Sequence, residues 1–114
     1  MFGLKIELEE IEGSVILRVD GRVDAQSSPV LEKKIDGLIA ENCHKLLIDF
    51  SRVDYLSSAG LRTLLSASKK LKAKKGVLVV FSLNDDVEEV VKMAGFEKVL
   101  HVCKSEKEAL QQHK

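Results

Sequence analysis

The chain has few of the residues that disulfide frameworks, metal centres and stacked nucleic-acid surfaces require. Its 114 residues include one proline, two cysteines, no tryptophan, one tyrosine and four phenylalanines. So few aromatic side chains do not supply the stacking platforms on which single-stranded nucleic acids are bound. Cys43 and Cys103 are far apart in the sequence and form no Cys-x-x-Cys pair, so we interpret both as structural rather than zinc-binding or redox-active.

The sequence also lacks an excess of either charge and a long hydrophobic run. Its 18 basic and 18 acidic side chains cancel, so the electrostatic footprint of a nucleic-acid-binding domain is missing. The lysine cluster 69–75 is interpreted as cations in the last turn of a helix. No apolar run approaches the length of a membrane span, and the first residues do not resemble a secretory signal. We therefore expect a cytoplasmic protein without a nucleic-acid or membrane partner.

Length and hydrophobic pattern predict one α/β domain over residues 1–114. The order of apolar segments predicts β-β-α-β-α-β-α-β-α, an initial hairpin followed by parallel strands joined by about four helices in a mixed sheet. The expected segments are a hairpin with its turn at 12–13, a helix capped by Ser28 and stopping at Asn42, a strand at 45–50, a helix from Ser57 or Ser58 to Gly76, a strand at 77–81, a helix ending near Gly95, a strand at 98–102 and a helix from Ser105 to about residue 112.

Helical spacing of apolar residues predicts which side chains face the sheet. The expected inner face comprises Leu31, Ile35, Leu38 and Ile39 in the first helix and Leu61, Leu64, Leu65 and Leu71 in the second. The continuous apolar strands place Leu47, Ile48, Val79 and Val80 at the centre of the sheet, covered on both faces.

Known catalytic motifs are missing from the sequence. It contains no Gly-x-Ser-x-Gly elbow, phosphate-binding P-loop or Gly-x-Gly-x-x-Gly fingerprint, and His44, His101 and His113 are scattered. Asp49 and Asp54 flank the loop expected after the third strand, which leaves a two-carboxylate active site as an alternative. Otherwise we expect no enzyme, no bound metal and no cofactor.

The residues Ser57-Ser58-Ala59-Gly60 form the most informative stretch of the sequence. One serine at a helix start commonly caps the helix by accepting hydrogen bonds from its first amides. Two adjacent serines exceed that need. If Ser57 caps the helix, the Ser58 hydroxyl lies in the first turn, where an enzyme can reach it. Ala59 and Gly60 add little bulk, so the backbone of another protein could come close.

The segments "LLIDFSRVDYLSSAGLRTLL" and "VDGRVDAQSSPVLEKKI" resemble the STAS domain of stand-alone bacterial anti-sigma factor antagonists. The resemblance implies a protein that binds an anti-sigma factor, often a serine kinase, and so releases a sigma factor. It further implies that this kinase phosphorylates a motif serine and that a metal-dependent serine phosphatase reverses the reaction. The phosphorylated position falls on Ser58, with Ser57 as the alternative because the commonest form of the motif has aspartate there. Asp24 would share the docking surface with residues 57–60.

Two other functions remain open from the sequence. STAS domains also serve as non-phosphorylated interaction subunits of lipid transport or stress-sensing complexes, and an enzyme or nucleotide-binding protein is the third possibility. Asp24 has an alternative of its own, because an aspartate in a turn can accept hydrogen bonds from its local backbone instead of contacting a partner.

Overall fold

The computed structural model describes residues 3–95 and 99–112, and these form five strands and four helices in the predicted order. The strands are β1 (Lys5–Ile11), β2 (Ser14–Val23), β3 (Lys45–Leu56), β4 (Val77–Phe81) and β5 (His101–Cys103). The helices are α1 (Ser28–Ala40), α2 (Ser58–Ala73), α3 (Asp85–Met93) and α4 (Glu106–Leu110). The predicted α/β class with a mixed sheet and four helices is confirmed.

The sheet has the strand order β1-β2-β3-β4-β5. β1 and β2 are antiparallel and meet at Glu12 and Gly13, whose positive φ angles of 50° and 80° suit a tight two-residue hairpin turn. The other neighbouring strands are parallel and are connected through helices. The carboxyl ends of β2, β3 and β4 therefore share one edge of the sheet, and α1, α2 and α3 begin at that edge.

The hydrophobic core lies on both faces of the sheet. Alternate residues of the strands pack against α1, α2 and α3 on one face, and a smaller cluster packs against α4 on the other. Every residue predicted for the inner faces and central strands is buried, so that prediction is confirmed: Leu31, Ile35, Leu38, Ile39, Leu47, Ile48, Leu61, Leu64, Leu65, Leu71, Val79 and Val80.

The third strand is longer than its apolar run predicts. β3 continues beyond Phe50 to Leu56 because the segment after Phe50 pairs with the end of β2, with Val53 opposite Gly21 and Leu56 opposite Val23. Two irregularities in the register let the longer strand follow the shorter one. The loop expected after residue 50 is therefore absent, and that prediction is wrong.

Two helix ends differ from the prediction. Ser27, not Ser28, is the N-cap residue of α1, and Ser28 is buried in the first turn. At the end of α2, Lys75 takes the left-handed conformation (φ 63°) expected of Gly76. Gly76 is required for another reason, since a Cβ atom there would lie 2.5 Å from the carbonyl oxygen of His44.

Two other predicted helix ends agree better with the structure. Asn42 follows α1 with a φ of 67°, which confirms it as the stop of that helix. Ser105 caps α4 by accepting from the Glu108 N–H at 3.2 Å, although α4 ends at Leu110 rather than near residue 112. The last strand was predicted at 98–102, but β5 begins only at His101 and runs to Cys103, so Val99 and Leu100 precede it. Lys98, like His113, lies outside the described residues.

Candidate functional site

Ser57 caps the amino end of α2, which is one of the two helix starts predicted from the sequence. Its Oγ accepts a hydrogen bond from the Gly60 N–H at 3.1 Å, and its own N–H donates to the carbonyl oxygen of Val23 at 2.9 Å. Ser57 is therefore the cap, and Ser58 is the first residue of the helix. Ser58 is exposed, so its hydroxyl is accessible at the amino end of α2.

Gly60 has a role inside the fold. It is buried, and a Cβ atom at this position would lie 2.6 Å from Val23 Cγ1 and 2.8 Å from the Val23 carbonyl oxygen. The missing side chain thus lets α2 approach the end of β2. Gly60 thus serves the packing of the chain's own core, a role that the sequence did not indicate. Ala59 is half-buried beside Ser58, and the contribution of both residues to partner binding stays a prediction.

Asp24 lies in the turn between β2 and α1, next to the start of α2. Its Oδ1 accepts from the N–H groups of Gln26 at 3.0 Å and Ser27 at 2.9 Å, while Ser27 Oγ accepts from the Asp24 N–H at 2.9 Å. The hydrogen bond from the Ser27 N–H is the main reason that the pKa of Asp24 lies below its ordinary value. The local-turn role considered for Asp24 is therefore present in the structure.

A stacked pair that sequence reasoning missed borders the same edge. The Arg22 guanidinium lies 4.3 Å from the centroid of the Tyr55 ring, and both side chains are exposed. Arg22 Nε also lies 3.9 Å from Asp24 Oδ2. Finding this pair requires the register of β2 and β3, including its irregularity, which the sequence pattern does not provide. We call the surface formed by Arg22, Asp24, Tyr55, Ser58 and Ala59 the Ser58 edge.

The electrostatics of the Ser58 edge depend on helix ends. The amino end of a helix carries unpaired N–H groups and a partial positive charge. The first turn of α2 contains no acidic residue. The Ser58 hydroxyl therefore lies where an added negative charge would be stabilised and where the helix supplies no carboxylate to oppose it.

The alternative two-carboxylate site does not form. Asp49 and Asp54 both lie within β3, five residues apart, which separates them by roughly 16 Å along an extended strand. Asp49 accepts hydrogen bonds from Arg18 Nη1 at 2.8 Å and from the Ser51 N–H at 2.9 Å. Burial alone would raise the pKa of Asp49, but the hydrogen bonds from Ser51 and Arg18 outweigh it and lower the pKa. Asp49 therefore acts as an ion-pair partner.

Arg18 joins three parts of the fold on the face opposite α1 and α2. Besides Asp49, its guanidinium contacts Glu9 of β1 at 2.9 Å and Glu106 of α4 at 2.8 Å. Over residues 3–95 and 99–112, no group of three or more His, Cys, Asp or Glu side chains is arranged to hold a metal ion. Within those ranges no helix has both the length and the apolar character needed to cross a membrane.

Comparison with known proteins agrees with the fold and the motif. Residues 5–109 match the STAS domain family. The chain is 31% identical over 106 residues to the protein of Bordetella bronchiseptica named "Putative anti-sigma factor antagonist BtrV", covering 93% of this chain and 91% of that protein. It is 27% identical over 108 residues to the anti-sigma F factor antagonist of Paenibacillus polymyxa, covering 94% and 92%.

A solved structure gives the same result. The crystal structure of an anti-sigma factor antagonist from Mycobacterium paratuberculosis superposes with a TM-score of 0.87 at 26% identity, covering 94% of this chain and 91% of that one. The match of the family to residues 5–109 includes both β2 and the start of α2, which carry the Ser58 edge. The chain therefore belongs to the STAS domain family and, within it, to the group of anti-sigma factor antagonists.

Proposed function

We propose that this protein binds an anti-sigma factor serine kinase through the Ser58 edge, thereby releases a sigma factor, and is switched off by phosphorylation of Ser58. The observation that carries the proposal is that the two serines at the start of α2 have different roles. Ser57 supplies the cap, so the neighbouring exposed hydroxyl of Ser58 has no part in holding the helix. The names of the relatives favour this function over the other roles of STAS domains.

Ser58 fits the modification better than Ser57. Ser57 is half-buried, its Oγ accepts from Gly60, and its N–H is bonded to Val23. A kinase acting on Ser57 would have to reach a hydroxyl that is engaged in the cap. Phosphorylation of Ser58 leaves all of these contacts intact.

The phosphate would act on the partner rather than on the fold. It adds about −1.5 to −2 charges. The amino end of α2 tolerates such an anion because its unpaired amides and dipole attract negative charge. A partner packed over Ala59 and Tyr55 would instead meet a bulky dianion. A loss of about 3 kcal/mol of binding free energy, more than a hundredfold in affinity, is expected from the repulsion and the lost contact.

The other partners and the setting follow from the same proposal. A metal-dependent serine phosphatase would act on phosphorylated Ser58 and restore binding. The protein itself would catalyse no reaction and need no cofactor, and it would meet its partners in the cytoplasm. Asp24 would add its Oδ2 to the docking surface, since Oδ1 is already occupied in the turn.

The test combines phosphorylation with binding. The full chain is incubated with ATP and each anti-sigma factor serine kinase of its source genome, the phosphorylated residue is identified by mass spectrometry, and affinity is measured by calorimetry. We expect phosphate on Ser58, normal binding without phosphorylation for Ser58→Ala, and a folded but weakly binding Ser58→Asp variant. Ser57→Ala is the matched control and should still be phosphorylated.

Two outcomes contradict the proposal. Phosphate found on Ser57 alone would reassign the modified residue. Undiminished binding of the phosphorylated chain would eliminate the switch, even if the kinase remained a partner.

A further inference from the structure

An open groove lies between β1 and α1, away from the Ser58 edge. Leu4 and Ile6 pack against the core on the side of the sheet that carries α1, and Leu8 on the same side is 43% exposed. The groove between this strip and α1 has a volume of about 730 Å³. β1 therefore presents an apolar face that the described helices leave partly uncovered.

The opposite wall of the groove is one continuous stripe of α1. The positions that line it have helical spacing, so they form one face of α1 and continue just past its end: Val30, Lys33, Lys34, Gly37, Leu38 and Glu41. Val30 is 53% exposed. At 1.5 Å per residue the stripe is roughly 16 Å long, which matches about three turns of a docked helix.

Gly37 is the second observation that points to an occupant. It lies inside α1, where glycine is a poor helix former. A Cβ atom there would meet nothing within 4 Å, whereas Gly60 and Gly76 are both required by close contacts within the chain. The fold gives no reason for the glycine at position 37. A partner that approaches the α1 backbone closely through the groove would provide one.

Charge identifies the kind of partner. Lys33 and Lys34 stand on the groove wall, and neither is in an ion pair with another described residue. The geometry points to an amphipathic helix of a partner protein, whose apolar stripe fills the groove and whose flanking carboxylates pair with these two lysines. Glu41 at the far end of the stripe favours a basic residue at the corresponding end of that helix.

The charges also argue against two other occupants. A second copy that extended the sheet by pairing its β1 with this β1 would bring two glutamate-rich strands together. Each strand carries Glu7, Glu9 and Glu10, and like charges that face each other across an antiparallel pair are unfavourable. An anionic membrane surface would bring negative charge against Glu41 as well as against the two lysines. A partner helix can instead place its carboxylates beside Lys33 and Lys34 and a basic residue beside Glu41.

The experiment uses two synthetic helical peptides of about four turns that share one leucine stripe and differ only in glutamate or lysine flanks. Each is titrated into the nitrogen-15-labelled full chain while amide shifts are followed. We expect the glutamate peptide to shift the groove residues and to bind at least about tenfold more tightly than the lysine peptide. Added salt should reduce the difference.

Three variants sharpen the result. Lys33→Glu combined with Lys34→Glu should reverse the preference between the peptides. Gly37→Leu should block both peptides while keeping α1 intact, because leucine is a good helix former and the space above residue 37 is empty. Ser58→Asp should leave peptide binding unchanged, which separates this site from the Ser58 edge.

The remaining outcomes overturn the inference. Equal affinity for both peptides, or shifts confined to residues outside the groove, would remove the acidic helix as the occupant. Self-association in sedimentation that is lost in Gly37→Leu would assign the groove to a second copy. Groove shifts with vesicles containing phosphatidylglycerol, but with neither peptide, would assign it to a lipid surface.

Discussion

The amino ends of α2 and α3 both have unpaired N–H groups and a partial positive charge, and the chain stabilises the two ends differently. Ser57 Oγ accepts from the Gly60 N–H at 3.1 Å, and Asn84 Oδ1 accepts from the Val87 N–H at 2.8 Å, so each helix has one side-chain cap three residues before the donor. The first turn of α3 then carries three carboxylates, while that of α2 carries none. Of these two helices, only α3 carries carboxylates that oppose the positive partial charge of its own amino end.

The donor residue differs as well. In α3 the donor is Val87, whose buried side chain anchors the helix on the core, whereas in α2 it is Gly60, which has no side chain and lets the helix backbone touch β2. The amino end of α3 therefore has both its buried anchor and its opposing charges within the chain. The amino end of α2 packs closely on β2, but no carboxylate of its first turn opposes its partial positive charge. Such an end suits the binding of a phosphate and a partner.

The largest effect is expected from Gly60→Ala. The new Cβ would lie within 2.8 Å of the Val23 carbonyl oxygen, and a backbone atom cannot yield as a flexible side chain can. We expect the free energy of unfolding to fall by about 1 to 3 kcal/mol or more, measured by urea denaturation. Gly37→Ala is the matched control and should instead stabilise by about 0.5 to 1 kcal/mol. Equal effects of the two changes would refute the close approach of α2.

Removing the caps should have the next largest effect, and α3 should lose more than α2. Ser57→Ala removes one acceptor and should cost about 1 kcal/mol. Asn84→Ala should cost up to about 2 kcal/mol, because Asn84 Nδ2 also donates to the Val53 carbonyl oxygen at 3.0 Å. Asn84→Asp keeps the cap but sets a carboxylate oxygen against the Val53 carbonyl oxygen, so it should also be less stable than wild type in urea melts. A greater loss for Ser57→Ala than for Asn84→Ala would reverse the comparison.

The turn before α1 is stabilised by a group that titrates, the Asp24 carboxylate, whereas the start of α2 is capped by a serine. The pKa of Asp24 is lowered chiefly by the hydrogen bond from the Ser27 N–H, so its charged form stabilises the folded state. That stability is fully present above the ordinary aspartate pKa of about 3.9 and is lost as the pH falls through the lower folded value. The difference in melting temperature between wild type and Asp24→Asn should therefore shrink below about pH 4.

Ser57→Ala serves as the pH control because serine does not titrate in this range. Its difference from wild type should stay constant across the same pH series. If Asp24→Asn melts like wild type at every pH and yet loses kinase binding, recognition rather than the turn explains the residue.

The sequence predicted the element order well because that order depends on local hydrophobic runs and helix starts. Leu47 and Val79 were placed in central strands by continuous apolar segments alone. It failed where the outcome depends on pairing between distant segments. The extension of β3 to Leu56 requires the end of β2 as a partner, and the inward role of Gly60 depends on the position of Val23.

The candidate site shows the same difference between local features and contacts that join distant segments. The cap at Ser57 is a local feature that neighbouring residues reveal, and the sequence identified it. The stack of Arg22 on Tyr55 joins two strands whose register shifts just before that pair, so no spacing within one segment indicates it. Local chemistry was predictable at this edge, and contacts between strands were not.

The smallest expected effect tests the charge difference between the two helices directly. Ser58→Asp places a carboxylate in the first turn of α2, where none exists, and should raise the free energy of unfolding by about 0.3 to 1 kcal/mol at low salt. Asp86→Asn removes one from α3 and should lower it by a similar or smaller amount, because two other carboxylates remain there. Both changes should fade in high salt, since these exposed charges are screened. If Ser58→Asp destabilises the fold at low salt, the amino end of α2 does not accommodate an anion, and phosphorylation would have to act by disrupting the helix instead of repelling the partner.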